Sequence, residues 1–560
     1  MAWLTDLSSL PFFDLPTSDS LFYARQAARI ASGEILGDEL SYPSSPLYPY
    51  LIAPAFLLGG RLTFWAIYIA QASLDAGHAV ILRRLGRSLF GEAAGWFAGI
   101  AWAGYGLAVF YTGDLMEGSI AAFSASASLL LLLGRARRAG PVPAQVKLSE
   151  AAVGGSFRLA AGGSLLAVAA LLRPHFLPVL PLAAAGVAWL RPRGVRWPAM
   201  AAFLAGAVLP LGASLARNTV ISGEPIVISP YSGLNAYLGN HRGAGGYLDF
   251  PAGKGLRNDL DLRDAAHAFP EASAGRRMSE TEISAFWWRE AFREMAADPA
   301  AWIGLLFRKV RLFWSSLEAP NHLDFYFFRE SSAFLSAAAV PFGLIAPLAL
   351  VGILLVASGP LRGPPALLLC VLIAAYAASV SLFFIADRFR LPITGWILLP
   401  AGGALAFVLA GARERPRAAA AAAVLTALLA FALHLPDRGP HGAREHVMVA
   451  ASLAGRGRLD EAERLLRRAV AIDPGSGAAR FNLGGLLVRS GRGDEAEVEL
   501  REATRLAPGF AAAHAALGEL LTRSGAPSAE SLEEFRRALE LEPYGETAEA
   551  IRRRLAARSP

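Results

Sequence analysis

The sequence predicts an all-α protein: a polytopic membrane helix bundle followed by a soluble α-solenoid of short helical repeats. Long apolar runs dominate residues 1–435, and landmark residues recur every 34 or 35 positions after residue 445. The composition agrees, because 54% hydrophobic and 18% charged residues with a mean hydropathy of +0.40 are too apolar for an ordinary soluble protein. We therefore expect a membrane domain over 1–435, a linker over 436–445 and a repeat domain over 446–560.

Ten apolar segments in the first domain read as membrane helices. Some are shorter than the ~20 residues that cross a bilayer comfortably, so the boundaries of these segments are approximate. A further apolar stretch, 47–60, is expected to lie along the membrane edge. The ten segments are 62–82, 93–111, 117–133, 159–172, 176–190, 198–216, 333–357, 365–386, 393–411 and 418–435.

The basic residues of the connecting loops predict which side of the membrane each loop faces. One alternating set of loops holds 15 Arg and Lys residues, whereas the short loops of the other set hold 3. By the positive-inside rule the first set is cytoplasmic, which leaves residues 1–46, the long loop 217–332 and the repeats outside. Because the chain then starts in an external segment, we expect a first membrane helix to be missing from it. The sequence predicts a multi-pass protein of the bacterial inner (cell) membrane with periplasmic repeats.

Charge and motif content exclude several function classes. The net charge of +7 belongs to the membrane domain, because residues from 441 onward carry 18 Arg and Lys against 18 Asp and Glu. Nucleic-acid binding is therefore unsupported. The single cysteine, Cys370, excludes disulfides within the chain and cysteine-rich metal sites. The sequence has no glycine-rich phosphate loop with lysine and no G-x-S-x-G turn, which disfavours nucleotide-driven transport and soluble hydrolysis.

The repeat region spans about 446–545 and places small residues where paired helices pack closely. This spacing resembles the tetratricopeptide repeat, with 546–560 as a helix that covers the last repeat. Such stacks form concave surfaces, so we expect a protein partner; a rigid spacer or a dimer contact is the alternative. The recurring residues are Pro474, Pro508 and Pro543; Ala469, Ala503 and Ala538; and Ala462, Ala496 and Ser531.

Acidic residues in the external segments are the first candidates for chemistry. Asp19 and Tyr23 lie one helical turn apart in SDSLFYARQAARIASGE. Asp114 and Glu117 lie three residues apart in GDLMEGSIAAF, on one face of a starting helix. Helix capping is the alternative explanation for the second pair, since a helix N-terminus favours acidic side chains.

These segments also carry a family resemblance. The Asp-x-x-x-Tyr segment, SPLYPYLIAPAFLLGG, RRLGRSLFGEAAGWFAGIAWA and an acidic residue before AAF resemble the membrane glycosyltransferases of the GT-C class. In particular they resemble the dolichyl-phosphate-mannose protein mannosyltransferase and aminoarabinose transferase group, over about residues 12–410. RNTVISGEP, GLNAYLGN, KVRLFWSSLEAPNHLD and DRFRLP are later matches. Two departures are the absent first span and Asp19-Ser20 in place of an adjacent acidic pair.

The resemblance implies that a sugar passes from a polyprenyl-phosphate donor to a protein or lipid acceptor with inversion. Asp19 matches the first-loop aspartate and is expected to act as the base that a hydroxyl acceptor needs. Glu117 matches the second acidic position, where it would orient the acceptor, and Asp114 is a further catalytic candidate. The sequence establishes no cofactor. An optional divalent metal ion would lie at Asp19 and Glu117, although Ser20 weakens that expectation.

The departing lipid phosphate needs positive charge and hydrogen-bond donors. Arg388, Arg390 and Arg173 are the candidates for binding the donor phosphate, because a guanidinium fork grips two phosphate oxygens. Interfacial anchoring is the alternative for Arg388 and Arg390. His175 lies beside Arg173 and is a further candidate.

Polar residues of the external segments are candidates for binding sugar or acceptor, with a surface turn cluster as the alternative. Glu318 and Asn321 in LEAPNHLD invite the same two interpretations. The candidates are Tyr23, Asn235, Tyr237, Asn240 and His241.

The sequence therefore predicts an inverting, polyprenyl-phosphate-sugar-dependent membrane glycosyltransferase whose repeats capture or present the acceptor. One alternative within enzymes is a polymerase or ligase for lipid-linked glycans, which would depend on external arginine and histidine rather than on Asp19. A second alternative is a non-catalytic membrane scaffold whose repeats bind a protein partner.

Overall fold

The computed structural model describes residues 2–14, 16, 18–36, 46–133, 148–248, 251, 262–321, 323–338, 340–434, 442–523, 528–541, 549 and 551–553. The regular structure in these residues is helical throughout, as predicted. The chain divides into two compact units. The first is Met1–Phe325 with Ser332–Asp437, and the second is Tyr326–Ser331 with Arg438–Pro560.

The first unit consists of helices α1–α14 and α16–α20, with two short 3-10 turns at Pro11–Phe13 and Pro174–Phe176. The first ten are α1 (Ala2–Ser8), α2 (Ser18–Ala31), α3 (Leu47–Phe56), α4 (Gly60–Phe90), α5 (Glu92–Ala103), α6 (Gly106–Tyr111), α7 (Gly118–Leu133), α8 (Leu148–Leu172), α9 (Val179–Trp189) and α10 (Arg196–Ser222). The next are α11 (Ser232–Asn240), α12 (Leu262–Ala274), α13 (Glu280–Ala297), α14 (Pro299–Trp314), α15 (Phe325–Ser331, which runs into the second unit), α16 (Ala333–Ala337), α17 (Phe342–Ser358), α18 (Pro364–Ser381), α19 (Asp387–Glu414) and α20 (Pro416–Leu433).

Among the residues that the structure describes, six helical stretches are long and apolar enough to cross a membrane, judged by length and composition. The predicted segment 93–111 is wrong as one continuous helix, because α5 ends at Ala103 and α6 begins at Gly106. Shorter apolar helices lie at Leu47–Phe56, Gly118–Leu133 and Pro174–Trp189. The six long stretches are Gly155–Leu172, Arg196–Ser222, Ala333–Ser358, Pro364–Ser381, Asp387–Glu414 and Pro416–Leu433.

Helices α8 and α10 meet with their backbones almost in contact. A Cβ added at Gly163 would lie 1.8 Å from the carbonyl oxygen of Phe203, and one added at Gly206 would lie 1.8 Å from that of Ala160. Small residues at a helix interface allow this approach, which stabilises membrane helix pairs through van der Waals packing. The crossing positions the end of α8, and with it Arg173, beside the segment that follows α10.

Two contacts join segments of the first unit that are distant in sequence. Phe90, at the end of α4, and Leu361 pack in one cluster with Val356 and Cys370. Tyr111 and Asp387 are joined by a hydrogen bond of 2.9 Å. The expected loop 83–92 is helical as far as Phe90, because α4 continues to that residue.

The described residues of the second unit form three helix pairs whose buried seams are lined by small residues, and the predicted repeat architecture is confirmed. Ala462, Ala469, Ala496 and Ala503 are fully buried. Pro543 and most of the predicted covering helix 546–560 lie outside the described residues. The helices are α21 (Ala443–Gly455), α22 (Leu459–Ile472), α23 (Gly477–Arg489), α24 (Gly493–Leu506), α25 (Ala511–Arg523) and α26 (Ala529–Leu541).

We predict that Gly206→Ala lowers the apparent melting temperature of the detergent-purified protein by several degrees. The added methyl group has no room against Ala160, and overpacking of this kind typically costs about 1–3 kcal/mol. Gly212→Ala on the same helix is the matched control, because a Cβ there meets nothing within 4 Å. Equal melting temperatures for the two variants would contradict the close crossing of α8 and α10.

Candidate active site

A cavity of about 720 Å³ lies in the first unit. Asp19, Arg173 and Arg388, three residues that the sequence singled out for chemistry, all line it. They come from the first turn of α2, the end of α8 and the first turn of α19. Other residues that line the cavity include His175, Pro225, Pro230, Ser232, Asn235, Thr281, Ser284, Trp288, Asn321, Ser379 and Phe389.

An ion pair between Asp19 and Arg388 lies on the cavity wall. Their side chains are 13% and 14% exposed, so the pair is shielded yet still reachable from the cavity. Asp19 occupies the first turn of α2, where the helix dipole favours a carboxylate. The backbone N–H of Arg388 donates to the Asp387 carboxylate, which also accepts from the Tyr111 hydroxyl at 2.9 Å. The first turn of α19 is thereby held in place.

A second ion pair supports the second cavity arginine. Arg173 Nη2 lies 2.9 Å from Glu117 Oε1, and both side chains are almost fully buried. The guanidinium carbons of Arg173 and Arg388 lie 5.4 and 5.1 Å from the ring centroid of Phe389. Two guanidinium groups therefore flank one aromatic ring at the cavity wall. Their mutual repulsion is offset by Glu117 and Asp19, and their planar forks of N–H donors match the geometry of a carboxylate or phosphate.

Asp114 does not line the cavity; it holds the residue next to Asp19. Its Oδ1 accepts a hydrogen bond of 2.7 Å from the Ser20 hydroxyl. Its backbone carbonyl accepts at 2.9 Å from the Gln71 amide, which in turn accepts at 2.7 Å from the Tyr48 hydroxyl. Asp114 thus fixes the first turn of α2. Its geometry is that of a positioning residue for Asp19 rather than of a group that touches substrate.

Tyr23 and Glu117 also lie behind the cavity wall. The Tyr23 side chain is fully buried, and its ring packs on Tyr48 with centroids 4.8 Å apart. This contact joins α2 to α3. The Glu117 carboxylate faces Arg173 and is likewise fully buried. Neither residue belongs to the cavity lining, so we remove Tyr23 from the sugar-binding candidates and treat Glu117 as support for Arg173.

Arg390 is used entirely by the protein itself. Its guanidinium donates to the carbonyls of Phe313, Ser315 and Leu317 at 3.1, 3.0 and 2.7 Å, and it pairs with Glu318. Two residues further along a helix point about 200° away, so Arg390 faces opposite to Arg388. It fastens α19 to the chain that follows α14, and we remove it from the phosphate-binding candidates.

The polar candidates of the external loop differ in whether they line the cavity. Asn235 lines the cavity, whereas Tyr237, Asn240 and His241 do not. Tyr237 packs on Trp287 in a buried cluster, with ring centroids 4.9 Å apart. His241 Nδ1 lies 3.0 Å from the carbonyl of the following residue. Only Asn235 of this group stays a candidate for contact with a ligand.

Asn240 shows why a buried polar residue need not face a ligand. Its carbonyl accepts from Lys309 Nζ at 2.7 Å and from Trp302 Nε1 at 3.1 Å. Its amide donates to the carbonyls of Ala236 and Leu382 at 2.8 and 2.9 Å. All of its hydrogen-bonding capacity is therefore satisfied by the protein. Burial lowers the pKa of Lys309 to about 7, and this lysine donates to Asn240 in either protonation state.

Several lining residues were absent from the sequence-based candidates. They are the segment 225–230, the hydroxyls of Ser232 and Ser284, and Trp288. Thr281, Ser284 and Trp288 follow one face of α13 at spacings of three and four, and that periodicity was the available signal. Asn321 also lines the cavity, and within the described part of the chain its buried amide atoms have no hydrogen-bond partner. Asn321 therefore offers an amide to a ligand.

The donor groups present do not fit the optional metal ion. Asp19 and Glu117 each face an arginine, and Ser20 stands where a second adjacent acid would be needed. Among the described residues, no group of three or more His, Cys, Asp or Glu side chains converges. A divalent ion at Asp19 and Glu117 would have to displace both guanidinium groups.

The comparisons with known proteins place these observations in context. The tetratricopeptide repeat family matches residues 453–525. The crystal structure of ArnT from Cupriavidus metallidurans bound to undecaprenyl phosphate is similar at 14% identity, covering 97% of this chain and 86% of that one, with a TM-score of 0.35. The archaeal oligosaccharyltransferase AglB from Archaeoglobus fulgidus is similar at 14% identity, covering 82% and 58%, with a TM-score of 0.36. Both are distant likenesses. No curated protein matched the chain.

We predict that Arg390→Met destabilises the protein far more than Arg388→Met. Removing Arg390 strands the buried Glu318 carboxylate, which typically costs about 3–5 kcal/mol, whereas Asp19 retains access to the cavity. The measurement is the apparent melting temperature in detergent. The double variant Arg390→Met with Glu318→Gln should recover part of the loss, because the unpaired charge is gone while an acceptor for Tyr105 remains. An Arg390→Met protein as stable as the parent would refute the fastening role.

Proposed function

We propose that the chain is an integral-membrane glycosyltransferase that transfers a sugar from a polyprenyl-phosphate donor to a protein or lipid acceptor. The observation that supports this most is the convergence of Asp19, Arg173 and Arg388 on one cavity. A carboxylate beside two guanidinium groups supplies a base and an anion site within one enclosed space. Transfer with inversion needs both.

The phosphate of the donor is proposed to lie between Arg173 and Arg388, beside Phe389. Each guanidinium presents a planar fork of donors that matches phosphate oxygens, and the low-dielectric wall strengthens the attraction. His175 lies near Ser379, with 3.4 Å between its Nδ1 and the hydroxyl oxygen, at the same wall. Charge then builds up on the departing phosphate where two fixed positive groups stabilise it.

Phosphate binding has a consequence for Asp19. Without ligand, Arg388 pairs with Asp19 and stabilises the ionised carboxylate, which makes it a weaker base. The phosphodiester anion of the donor competes for the same guanidinium. As Arg388 turns to the phosphate, Asp19 loses its partner and becomes a stronger base at the moment when donor is present. The ion pair therefore couples donor binding to activation of the base.

The chemical step uses Asp19 as general base. Its carboxylate accepts the proton of the acceptor hydroxyl while that oxygen attacks the anomeric carbon of the donor sugar. The bond between the anomeric carbon and the phosphate oxygen breaks on the opposite face, and the electron pair leaves with the lipid phosphate. Asp114 and Ser20 position Asp19, Glu117 positions Arg173, and Asn235 and Asn321 face the ligand.

We propose that this cavity opens on the periplasmic side of a bacterial inner membrane. Support comes from the positive-inside rule, since Asp19, Arg173 and Arg388 lie in segments that the rule makes external and all three line the cavity. The repeat domain, proposed as 446–560 after a 436–445 linker, would capture or present the acceptor. The catalytic domain would be 1–435.

We predict that Asp19→Asn lowers the rate of sugar transfer by about 10²–10⁴-fold, because the amide cannot accept the acceptor proton. The assay uses the full chain purified with native lipid, after mass spectrometry has identified the co-purifying polyprenyl-linked sugar. The variant should still co-purify with this lipid. Asp14→Asn is the matched control, because Asp14 pairs with Arg61 at 2.7 Å and lies outside the cavity lining.

Two results would overturn the proposal. Full transfer activity in Asp19→Asn would exclude this base and favour a ligase that depends on arginine and histidine. A parent protein that co-purifies with no polyprenyl-linked lipid, and whose role in cells survives the substitution, would favour the scaffold alternative.

A further inference from the structure

One part of the cavity wall consists of neutral polar side chains and an indole. We call it the hydroxyl wall and define it as Ser232, Asn235, Thr281, Ser284 and Trp288, all of which line the cavity. Ser232 and Asn235 belong to α11, and the other three belong to α13. The ion-pair part of the cavity holds Asp19, Arg173 and Arg388, whereas these five residues carry no charge. The two parts therefore suit different portions of one ligand.

The hydroxyl wall is built by close contact between α11 and α13. A Cβ added at Gly233 would lie 2.0 Å from the carbonyl oxygen of Ser284, so only glycine permits this approach. The Gly233 N–H donates to the Ser284 hydroxyl at 3.3 Å. The indole of the neighbouring Trp287 is fully buried and donates to the Ala266 carbonyl at 2.9 Å, which anchors α13. The positions of the wall residues are therefore fixed before any ligand arrives.

A carboxylate ties this wall to the segment 225–230. Glu224 Oε2 accepts a hydrogen bond of 2.9 Å from the backbone N–H of Thr281, in the first turn of α13. The helix dipole favours a carboxylate at this end. Pro225 and Pro230 line the cavity at the two ends of the segment. Glu224 is thus engaged by backbone and is not part of the lining.

A count of hydrogen bonds shows that the hydroxyl wall has a donor to spare. Trp288 Nε1 donates to the Ser232 hydroxyl at 3.2 Å, and the Ser232 and Ser284 hydroxyl oxygens lie 3.4 Å apart. Ser284 also accepts from the Gly233 N–H. Ser232 and Ser284 have two hydroxyl protons, and the link between them uses one. The other can be donated into the cavity, beside the amide of Asn235.

Trp288 adds an apolar platform next to these donors. Its ring stacks on Phe292 at an interplanar angle of 26° with centroids 5.4 Å apart, and it meets the edge of Phe383 at 6.0 Å. These contacts hold the indole while part of it lines the cavity. A rigid aromatic face beside hydroxyl and amide groups matches a pyranose ring, which presents C–H groups on one face and hydroxyls at its rim.

We propose that the hydroxyl wall binds an uncharged pyranose, such as a neutral hexose, and discriminates against acidic and amino sugars. The wall has no cation to pair with the carboxylate of a uronic acid and no anion to pair with the ammonium of an amino sugar, so a charged sugar gains no ion pair there. This inference rests on the proposed function. The sugar comes either from the polyprenyl-phosphate donor or from a glycan acceptor, and the chemistry of recognition is the same.

The test measures binding of soluble donor analogues to the detergent-purified full chain. The ligands are farnesyl methyl phosphate, which has the same single phosphate charge as the donor analogues, and the farnesyl phosphodiesters of mannose or glucose and of glucuronate. If the site takes the donor sugar, we expect the neutral sugar to raise affinity about 10-fold over farnesyl methyl phosphate, which corresponds to about 1.4 kcal/mol. Glucuronate should give no gain.

The double variant Ser232→Ala with Ser284→Ala removes the spare hydroxyl donor. Separately, Trp288→Phe removes the N–H that donates to Ser232 and reduces the aromatic platform. Both should reduce the gain from the neutral sugar to less than 3-fold and leave the affinity for farnesyl methyl phosphate unchanged. Ser273→Ala is the matched control, because its exposed hydroxyl donates to the Phe269 carbonyl away from the cavity. Trp288→Phe keeps an aromatic ring and both serines. If both variants lose the gain from the sugar, a packing defect of the double variant alone does not explain the result.

The outcomes separate this inference from the proposed function. If Arg388→Ala abolishes binding of farnesyl methyl phosphate while the donor sugar adds nothing to the parent and the parent binds no free methyl mannoside or glucoside, the inference is wrong and the phosphate site stands. If all farnesyl ligands bind equally to the parent and to Arg388→Ala, the proposed function fails. Free methyl mannoside or glucoside distinguishes the two sources: it competes with the matching donor analogue if the site takes donor sugar, and binds alongside the analogue if it takes acceptor.

Discussion

The ion pair between Asp19 and Arg388 is the contact on which the cavity depends. It joins residues 369 positions apart and fixes the first turn of α2 against the first turn of α19. Around it, the protein arranges one partner for each further charge: Glu117 for Arg173, and Ser20 for Asp114. Charges in an apolar bundle are expensive unless paired, so such pairing both stabilises the fold and sets the geometry of the site. A phosphate that competes for Arg388 would change the pairing of Asp19 without rebuilding the wall.

The helical architecture and the grouping of the charges were accessible from the sequence. Hydropathy predicts the long helices because the backbone must satisfy its own hydrogen bonds in lipid. The arginines of the loops predict which helix ends are cytoplasmic. Asp19, Arg173 and Arg388 were therefore expected at the same end of the bundle before any contact was known. The period of 34 predicted the repeats for a similar reason, since small residues recur wherever paired helices touch.

The sequence failed where the outcome depends on tertiary contacts. Arg388 and Arg390 look equivalent in DRFRLP, but about 200° of helix rotation sends one to the cavity and the other to the carbonyls that follow α14. Asn240 looked available for a ligand until Lys309 and Trp302 were seen to occupy its carbonyl. The hydroxyl wall was missed because it exists only where Gly233 lets α11 approach α13, and no local pattern records which helices will meet.

The most direct test of this account is a structure of the full chain in a nanodisc with a short polyprenyl phosphate bound. The phosphate oxygens are expected within hydrogen-bond distance of the Arg173 and Arg388 guanidinium groups, beside Phe389, with the Asp19 carboxylate released from Arg388. Phosphate density elsewhere in the protein, with Arg388 still paired to Asp19, would contradict the central claim that one guanidinium serves the base and the leaving group in turn.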